Sequence, residues 1–270
     1  VYDTLTAQST GVRVEPLTGF GVLRAQQQFG EAASTVGVMF TAVQRDLSAD
    51  EPLASILNRA AFAGGGDFNL RFNEGTYELA GYAGFSHVTG APASLMRVQT
   101  SSAHYFQRPD ASHVSIDTAR TSLSGYCAQL HFAKNSGEHW LWGVEARTES
   151  PGFELNDAGL LQSADNRSGW ANLQYRDVEP RTILRSFSFD VAAGAGWNFG
   201  GIRQHSSVEL LSSAMLWNYW NATARIEHGF RAFNDDLTRG GPLMGTAAIT
   251  TINLALSGNY ALPTRWSGYG

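Results

Sequence analysis

Residues 187–199 read FSFDVAAGAGWNF, and their side chains alternate along the segment. Every odd position is apolar, whereas every even position is polar or small. Because successive side chains of a β-strand point to opposite faces, this pattern predicts a strand with one apolar and one polar face. The segment exceeds the mean strand length of about 5–6 residues and reaches the roughly 9–11 that cross a bilayer. We therefore interpret it as a membrane-crossing strand.

The same alternation recurs along the chain. The further segments are 68–72, 126–132, 140–147, 171–176 and 251–260. A soluble β-sandwich also alternates, but the polar faces here are rich in Asn, Gln, Ser and Gly, and Lys134 is the only lysine. A water-facing surface normally carries many lysines and glutamates. We therefore predict an all-β fold, an antiparallel transmembrane β-barrel of about 11–12 strands.

The links between these strands alternate between short and long. The long links are 47–65, 88–121, 151–167 and 230–245. Outer-membrane barrels have short periplasmic turns and long outer loops, so this rhythm favours that class, with the brief link at Gly200 and Gly201 as the exception. Apolar residues at helical spacing predict short helices in two of the long links, at 52–61 and 93–106.

Composition favours a barrel and excludes other classes. The chain is 43% hydrophobic and only 16% charged, against roughly 25% charged in an average soluble domain. It has no run of about 18 apolar residues, which excludes membrane-spanning helices. The net charge of −5 and the lack of a basic stripe argue against a nucleic-acid partner. A single cysteine, Cys127, excludes an intrachain disulfide and a cysteine metal site, and it is predicted to be a buried free thiol. No cofactor or metal is expected.

The two ends of the chain indicate a fragment. It opens with Val1, without a positively charged start or an apolar signal core. It closes just as a twelfth strand is predicted to begin near Thr264. We interpret residues 1–270 as a single outer-membrane barrel domain that is truncated at both ends, with a secretion signal expected upstream.

The polar faces of the strands supply the residues of the predicted lumen. These residues are Asp67, Asn69, Arg71, Glu145, Arg147, Asn172, Arg176 and Asp190. In a channel, such fixed charges set selectivity, and an inward loop sets the size limit. The sequence therefore favours a passive channel, receptor or scaffold in which the 88–121 link constricts or plugs the lumen.

Segment 101–110 concentrates polar side chains more than any other. Its residues His104, Arg108 and Asp110 are candidates to converge on a ligand, or to act as base, oxyanion holder and orienter. The alternative is a folded-in loop whose arginine and aspartate pair to fix its shape. The glycine-rich turn around Arg239 lacks the GxxxxGK[ST] spacing of a phosphate cradle, and it is predicted to pack into the barrel mouth.

Carboxylates in the 151–167 link support a second hypothesis. Glycoside hydrolysis needs two carboxylates across a cleft, and Glu154 with Asp157, or His104 with Asp110, are the candidates for an outer-membrane-associated glycan hydrolase. The competing interpretation is a solvated or calcium-bound surface. No HExxH or GxSxG motif occurs. A third possibility is a soluble β-sandwich. Trp140 and Trp142 lie on one face of a predicted strand, and a soluble partner would then have to cover them.

Several segments together resemble one bacterial family. They are 34–43, 101–110, 121–125, 149–154 and 237–244. The family is domain of unknown function 5916, in which a domain similar to family-nine carbohydrate-binding modules precedes a long outer-membrane β-barrel. The resemblance spans roughly residues 19–260. It implies an outer-membrane location, contact with lipid and a link to carbohydrate through the upstream domain, which we expect to lie before residue 1. The family has no known catalytic residues that could be transferred to this chain.

Overall fold

The computed structural model describes residues 2–3, 8–9, 13–48, 50–259 and 267–269. Within this part, twelve strands form one antiparallel sheet. Their bounds are β1 Thr18–Phe29, β2 Ser34–Arg45, β3 Ala60–Phe72, β4 Tyr77–Thr89, β5 Ser122–Lys134, β6 Trp140–Glu149, β7 Asn166–Asp177, β8 Leu184–Trp197, β9 Arg203–Leu216, β10 Asn221–Gly229, β11 Ile249–Ser257 and β12 Ser267–Tyr269.

The remaining elements are short. They are the helix α1 at Pro92–Thr100, a 3-10 helix at Pro52–Ser55, and two small strand pairs, Tyr2–Asp3 with Gln8–Ser9 and Ala232–Asn234 with Met244–Thr246. In the part of the chain that the structure describes, no helix has the length and apolarity needed to span a membrane.

Each strand of the sheet pairs with the strand that follows it in the chain, so the order in space is the order in sequence. Antiparallel neighbours need only hairpin links, which is why the chain folds back and forth without a crossover. The predicted all-β antiparallel fold and its number of strands are confirmed. Among the described residues, β1 and β12 each have one neighbour, so the sheet is not closed into a barrel. The β-sandwich alternative is wrong for this part of the chain, because these strands form one large sheet.

The first predicted helix is shorter than its apolar spacing indicated. Only the turn Pro52–Ser55 is helical, and the predicted link 47–65 ends earlier because β3 begins at Ala60. There Ala60 pairs with Gln44 on one side and Thr89 on the other. Pairing with two neighbouring strands outweighs local helical spacing, since helices of this length are marginal without tertiary support.

The second predicted helix, at 93–106, is confirmed in its position but ends earlier than predicted. Helix α1 spans Pro92–Thr100, with proline in its first turn, where no backbone donor is needed. Residues 101–106 leave the helix and continue as turns. The predicted start of the last strand near Thr264 lies outside the described residues, which resume at Ser267.

Candidate functional site

The register of the strands separates the side chains into two faces. Residues that pair across neighbouring strands lie on the same face of the sheet. One row across β6 to β11 is apolar throughout: Trp142, Leu173, Val191, Leu210, Ile226 and Ile252. We call the face that carries this row the outer face.

The opposite face, which we call the inner face, is polar. One of its rows runs across β3 to β7 through Asp67, Tyr82, Gln129, Arg147 and Ser168. Strand pairing places every residue of the predicted lumen on this face: Asp67, Asn69, Arg71, Glu145, Arg147, Asn172, Arg176 and Asp190. The alternation in the sequence therefore corresponds to one shared surface of the sheet.

Charged side chains on the inner face bind one another. Arg24 on β1 holds Asp67 on β3 through two hydrogen bonds of 2.6 and 2.7 Å. Arg225 lies 2.6 Å from Glu209 on the neighbouring strand. Further ion pairs on this face are Arg71–Glu78 and Arg147–Glu149. Glu145 and Asp190 accept hydrogen bonds from the neutral amides of Gln129 and Gln174. The face is thus lined by side chains whose charges are largely compensated in place.

Among the residues that the structure describes, none covers the outer face. Phe85 and Leu130 are each 50% exposed, and Ile252 is 58% exposed. The same holds for large apolar residues on other strands of the sheet. Soluble monomers rarely expose an apolar surface of this extent, so it marks contact with a partner or a membrane.

The four long connections between strands lie at one end of the sheet. They are 46–59, 90–121, 150–165 and 230–248, and we call them the long loops. Two of them pack on the inner face. Val88 and Leu123, which are inner-face residues, are buried against Leu95 of α1 and Phe106. Apolar residues of the inner face and of the 90–121 loop thus pack together at this end of the sheet.

A second contact brings the 150–165 loop against β5. Phe153 is buried in a cluster with Ala103, and Cys127 of β5 packs against that cluster. Gly125 makes this approach possible, because a Cβ atom there would overlap the backbone of Phe153. Cys127 is a free thiol, as predicted, but it is half-buried where a buried one was expected.

The first polar contact among the long loops joins His104 to Glu154. The Nε2 atom of His104 lies 2.7 Å from Oε2 of Glu154, and its Nδ1 atom lies 2.9 Å from the carbonyl oxygen of Pro151. Both ring nitrogens therefore lie at hydrogen-bonding distance from an oxygen atom, one of a carboxylate and one of a backbone carbonyl. The side chains are 0% and 5% exposed.

Burial and hydrogen bonding act on Glu154 in opposite directions. Burial raises the pKa of this carboxyl, whereas the hydrogen bonds from His104 and from the backbone N–H of Asn156 lower it. The hydrogen bonds prevail, and the pKa of Glu154 lies below its ordinary value. The ionised form is therefore the one that the folded loops stabilise.

Arg108 forms the second polar contact. It connects its own loop to three other connections between strands, 150–165, 198–202 and 230–248. Its guanidinium donates to Asp165 at 2.7 Å and also to Asp235. Asp165 in turn accepts from His113 at 2.7 Å, and Asp235 accepts from the side-chain amide of Asn198 at 2.9 Å. The guanidinium is 5% exposed, so these are buried charges that need one another.

The candidate residues of segment 101–110 therefore have separate partners. Arg108 pairs with Asp165 and Asp235 rather than with Asp110, as the folded-in alternative supposed. Asp110 instead accepts a hydrogen bond of 2.7 Å from the backbone N–H of Leu243. The segment is folded in and fixed in shape, but by residues of other loops.

The carboxylates proposed for hydrolysis are also engaged. Asp157 lies 2.5 Å from Arg45 and accepts a 2.7 Å hydrogen bond from Asn58, while Glu154 is bound by His104. Arg239 is exposed, in a turn with a φ of 53°. Sequence reasoning missed Arg45 and Asn58 as partners, because no local spacing connects residues this far apart in the chain.

One family model matches the chain over residues 1–261, and its description is "Domain of unknown function (DUF5916)". The chain belongs to this family. The resemblance recognised in its sequence is thereby confirmed. No curated protein and no solved structure matches the DUF5916 chain.

The DUF5916 domain also contains a cavity that the sequence did not indicate. It has a volume of about 480 Å³ and lies between the inner face of β1 to β5 and residues 153–159. Among the described residues, no group of three or more His, Cys, Asp or Glu side chains is placed to hold a metal ion. The candidate site is the inner face, with the 90–121 and 150–165 loops packed on it.

Proposed function

We propose that this domain is a large part of an outer-membrane β-barrel, in which the inner face lines a lumen and the long loops narrow it. One observation carries the proposal: within the described part of the chain nothing covers the apolar face of the sheet, while loops pack on the polar face. In soluble sheet proteins the apolar face is the one that a second layer covers. Lipid is the medium in which the inverted arrangement is stable.

Strand length supports this proposal. Most strands of the sheet contain 12 to 14 residues. At roughly 3.3 Å per residue, a strand of 12 residues is about 40 Å long. Tilted by about 45°, it spans about 28 Å, close to the hydrocarbon thickness of roughly 30 Å.

Aromatic residues at the end with the short turns give further support. Trp142 contacts Phe132 with ring centroids 5.0 Å apart, and Trp140 contacts Tyr175 at the same distance. Rings that gather at one level of a barrel form the girdle found at a membrane interface. Lys134 ends β5 at this level, where a lysine can extend towards lipid headgroups.

The lumen chemistry favours a passive role as a channel, receptor or surface scaffold. Compensated ion pairs such as Arg24–Asp67 line the inner face, and the 90–121 loop lies across one end of it. Such a loop sets a size limit, and the remaining charges set selectivity. A link to glycan binding or uptake is part of the proposal through the family resemblance alone.

The glycan hydrolase has weaker support. A retaining or inverting hydrolase needs two carboxylates that face an open cleft. Glu154 is buried against His104, and Asp157 is held by Arg45 with both side chains 11% exposed. These contacts suit loop anchoring, since a catalytic carboxylate must reach substrate.

The test uses the complete protein, extracted from outer membranes in mild detergent. Its mobility in SDS gels is compared with and without boiling. We expect a faster unboiled band from protein that fractionates with the outer membrane, because a closed barrel resists SDS until heated. An unshifted band from protein in the soluble fraction would overturn the membrane proposal.

A further inference from the structure

The cavity under residues 153–159 is walled mainly by apolar groups. Sheet residues form its floor and loop residues form its roof: Met39, Ala63, Tyr82, Phe153, Leu155 and Ala158. The roof is fixed in position, because the backbone N–H of Glu154 donates to Ser86 at 2.9 Å and Phe153 is only 4% exposed. A site that is already formed loses little entropy when a ligand enters.

The charged groups at the cavity already satisfy each other. Arg24 and Asp67 both line it, and the two hydrogen bonds between them occupy both oxygens of the carboxylate. An anionic ligand would have to compete with Asp67 for the same guanidinium. A sugar would bury several hydroxyl groups against walls with few hydrogen-bond partners, and each hydroxyl left without a partner weakens binding.

We propose that this cavity binds a compact, uncharged, apolar molecule, such as an aliphatic chain or a small aromatic compound. Its volume of about 480 Å³ is within the range of known ligand pockets, roughly 300–1,000 Å³. The cavity is open to solvent on one side, so a ligand can enter it without movement of the sheet. The inference depends on the proposed function only for the route by which the ligand reaches the inner face.

Cys127 provides the readout, because it lines the cavity and is the only cysteine of the chain. The experiment measures the rate at which iodoacetamide alkylates Cys127 in the complete protein, with Cys127→Ala as the background. The probes are 1-octanol as the apolar molecule and maltose as the sugar. An occupant at about ten times its dissociation constant leaves the site free about a tenth of the time, so 1-octanol is expected to slow alkylation about tenfold. Maltose is expected to leave the rate unchanged.

A pair of matched variants locates the effect. Ala63→Phe fills the cavity and is expected to abolish the protection by 1-octanol. Ala192→Phe makes the same change on the inner face of β8, away from the cavity, and is expected to keep it. Equal protection in both variants, or protection by maltose alone, would overturn the inference.

The gel-shift assay on the same samples separates this inference from the proposed function. Protein that shows the heat-sensitive fast band but no protection by 1-octanol refutes the apolar site and leaves the barrel in place. Protein that is protected by 1-octanol but remains in the soluble fraction without a gel shift supports the site and refutes the barrel.

Discussion

Arg108 shows how one residue holds several loops together. Its guanidinium lies between Asp165 and Asp235, and its side chain is 5% exposed. Removing one member of a buried charge group leaves the others uncompensated, which costs about 3–5 kcal/mol. We expect Arg108→Ala to lower the free energy of unfolding by about that amount, measured by urea titration of the detergent-solubilised protein.

Arg239 provides the matched control for this variant. It has the same side chain and lies in another long loop, but it is exposed. Surface substitutions of this kind change stability by about 0.5 kcal/mol or less. Equal losses in Arg108→Ala and Arg239→Ala would show that the buried pairs contribute no more than an ordinary surface charge.

Glu154 makes the stability of the loops depend on pH. Its pKa is lower in the folded protein than in the unfolded chain, so its contribution is fully present above the ordinary glutamate value of about 4.3. The contribution is lost as pH falls through the folded pKa. We expect wild type to exceed Glu154→Gln in unfolding free energy at pH 6, and the difference to shrink as the pH is lowered towards 3.

The measurement is a series of urea titrations of both proteins across this pH range. The Glu154→Gln side chain keeps the size of glutamate but has no charge to lose. A difference between the two proteins that stays constant down to pH 3 would contradict a role for the ionised carboxyl.

At the scale of a strand, β8 separates the two faces most clearly. Val191 and Ala192 are adjacent residues near its middle, and pairing places them on opposite faces. An arginine on the lipid face of a barrel costs about 2–4 kcal/mol near the bilayer midplane, whereas lumen positions tolerate charge. We expect Val191→Arg to reduce folding into lipid vesicles strongly and Ala192→Arg to reduce it little.

The gel shift after mixing with vesicles gives the folded fraction of each variant. The two variants place the same new side chain at adjacent positions, so they compare the two faces at the same depth of the sheet. A larger loss from Ala192→Arg would reverse our assignment of the outer and inner faces.

The strands could be predicted from the sequence because the alternation of apolar and polar residues lies within each segment. Alternation in 187–199 requires no knowledge of other strands, and β8 follows it. The loop contacts could not be predicted in this way. Arg108 and Asp235 are 127 positions apart, and no sequence pattern around either residue indicates its partner. The helix predicted at 52–61 was too long, since pairing of Ala60 with two neighbouring strands limits the helical segment to Pro52–Ser55.

At the scale of the whole molecule, the packing is the reverse of that in a soluble sheet protein, where the apolar face of the sheet is the buried one. The sheet presents its apolar side outwards, and the buried clusters lie between inner-face residues and loops. The 90–121 loop contributes Leu95, Phe106 and Ala103 to those clusters. If the inner face is a lumen, this loop occupies part of its cross-section.

The 90–121 loop can be removed without stretching the strands that it joins. The backbone N–H of Gly90 donates to the carbonyl oxygen of Thr121 at 3.0 Å, so the ends of β4 and β5 already meet. Residues 91–120 can therefore be replaced by a two-residue turn such as Asn-Gly, which closes antiparallel hairpins. A channel narrowed by this loop is expected to conduct more once the loop is gone.

Single-channel conductance in planar bilayers measures this effect, with Arg239→Ala as a loop variant that keeps the 90–121 segment. We expect a larger unit conductance in the shortened protein only, because the pore area increases when the segment leaves the inner face. The gel shift must be kept in both variants, so that a change of conductance is not a failure to fold. Equal conductance in a shortened protein that retains the shift would place the 90–121 loop outside the permeation path.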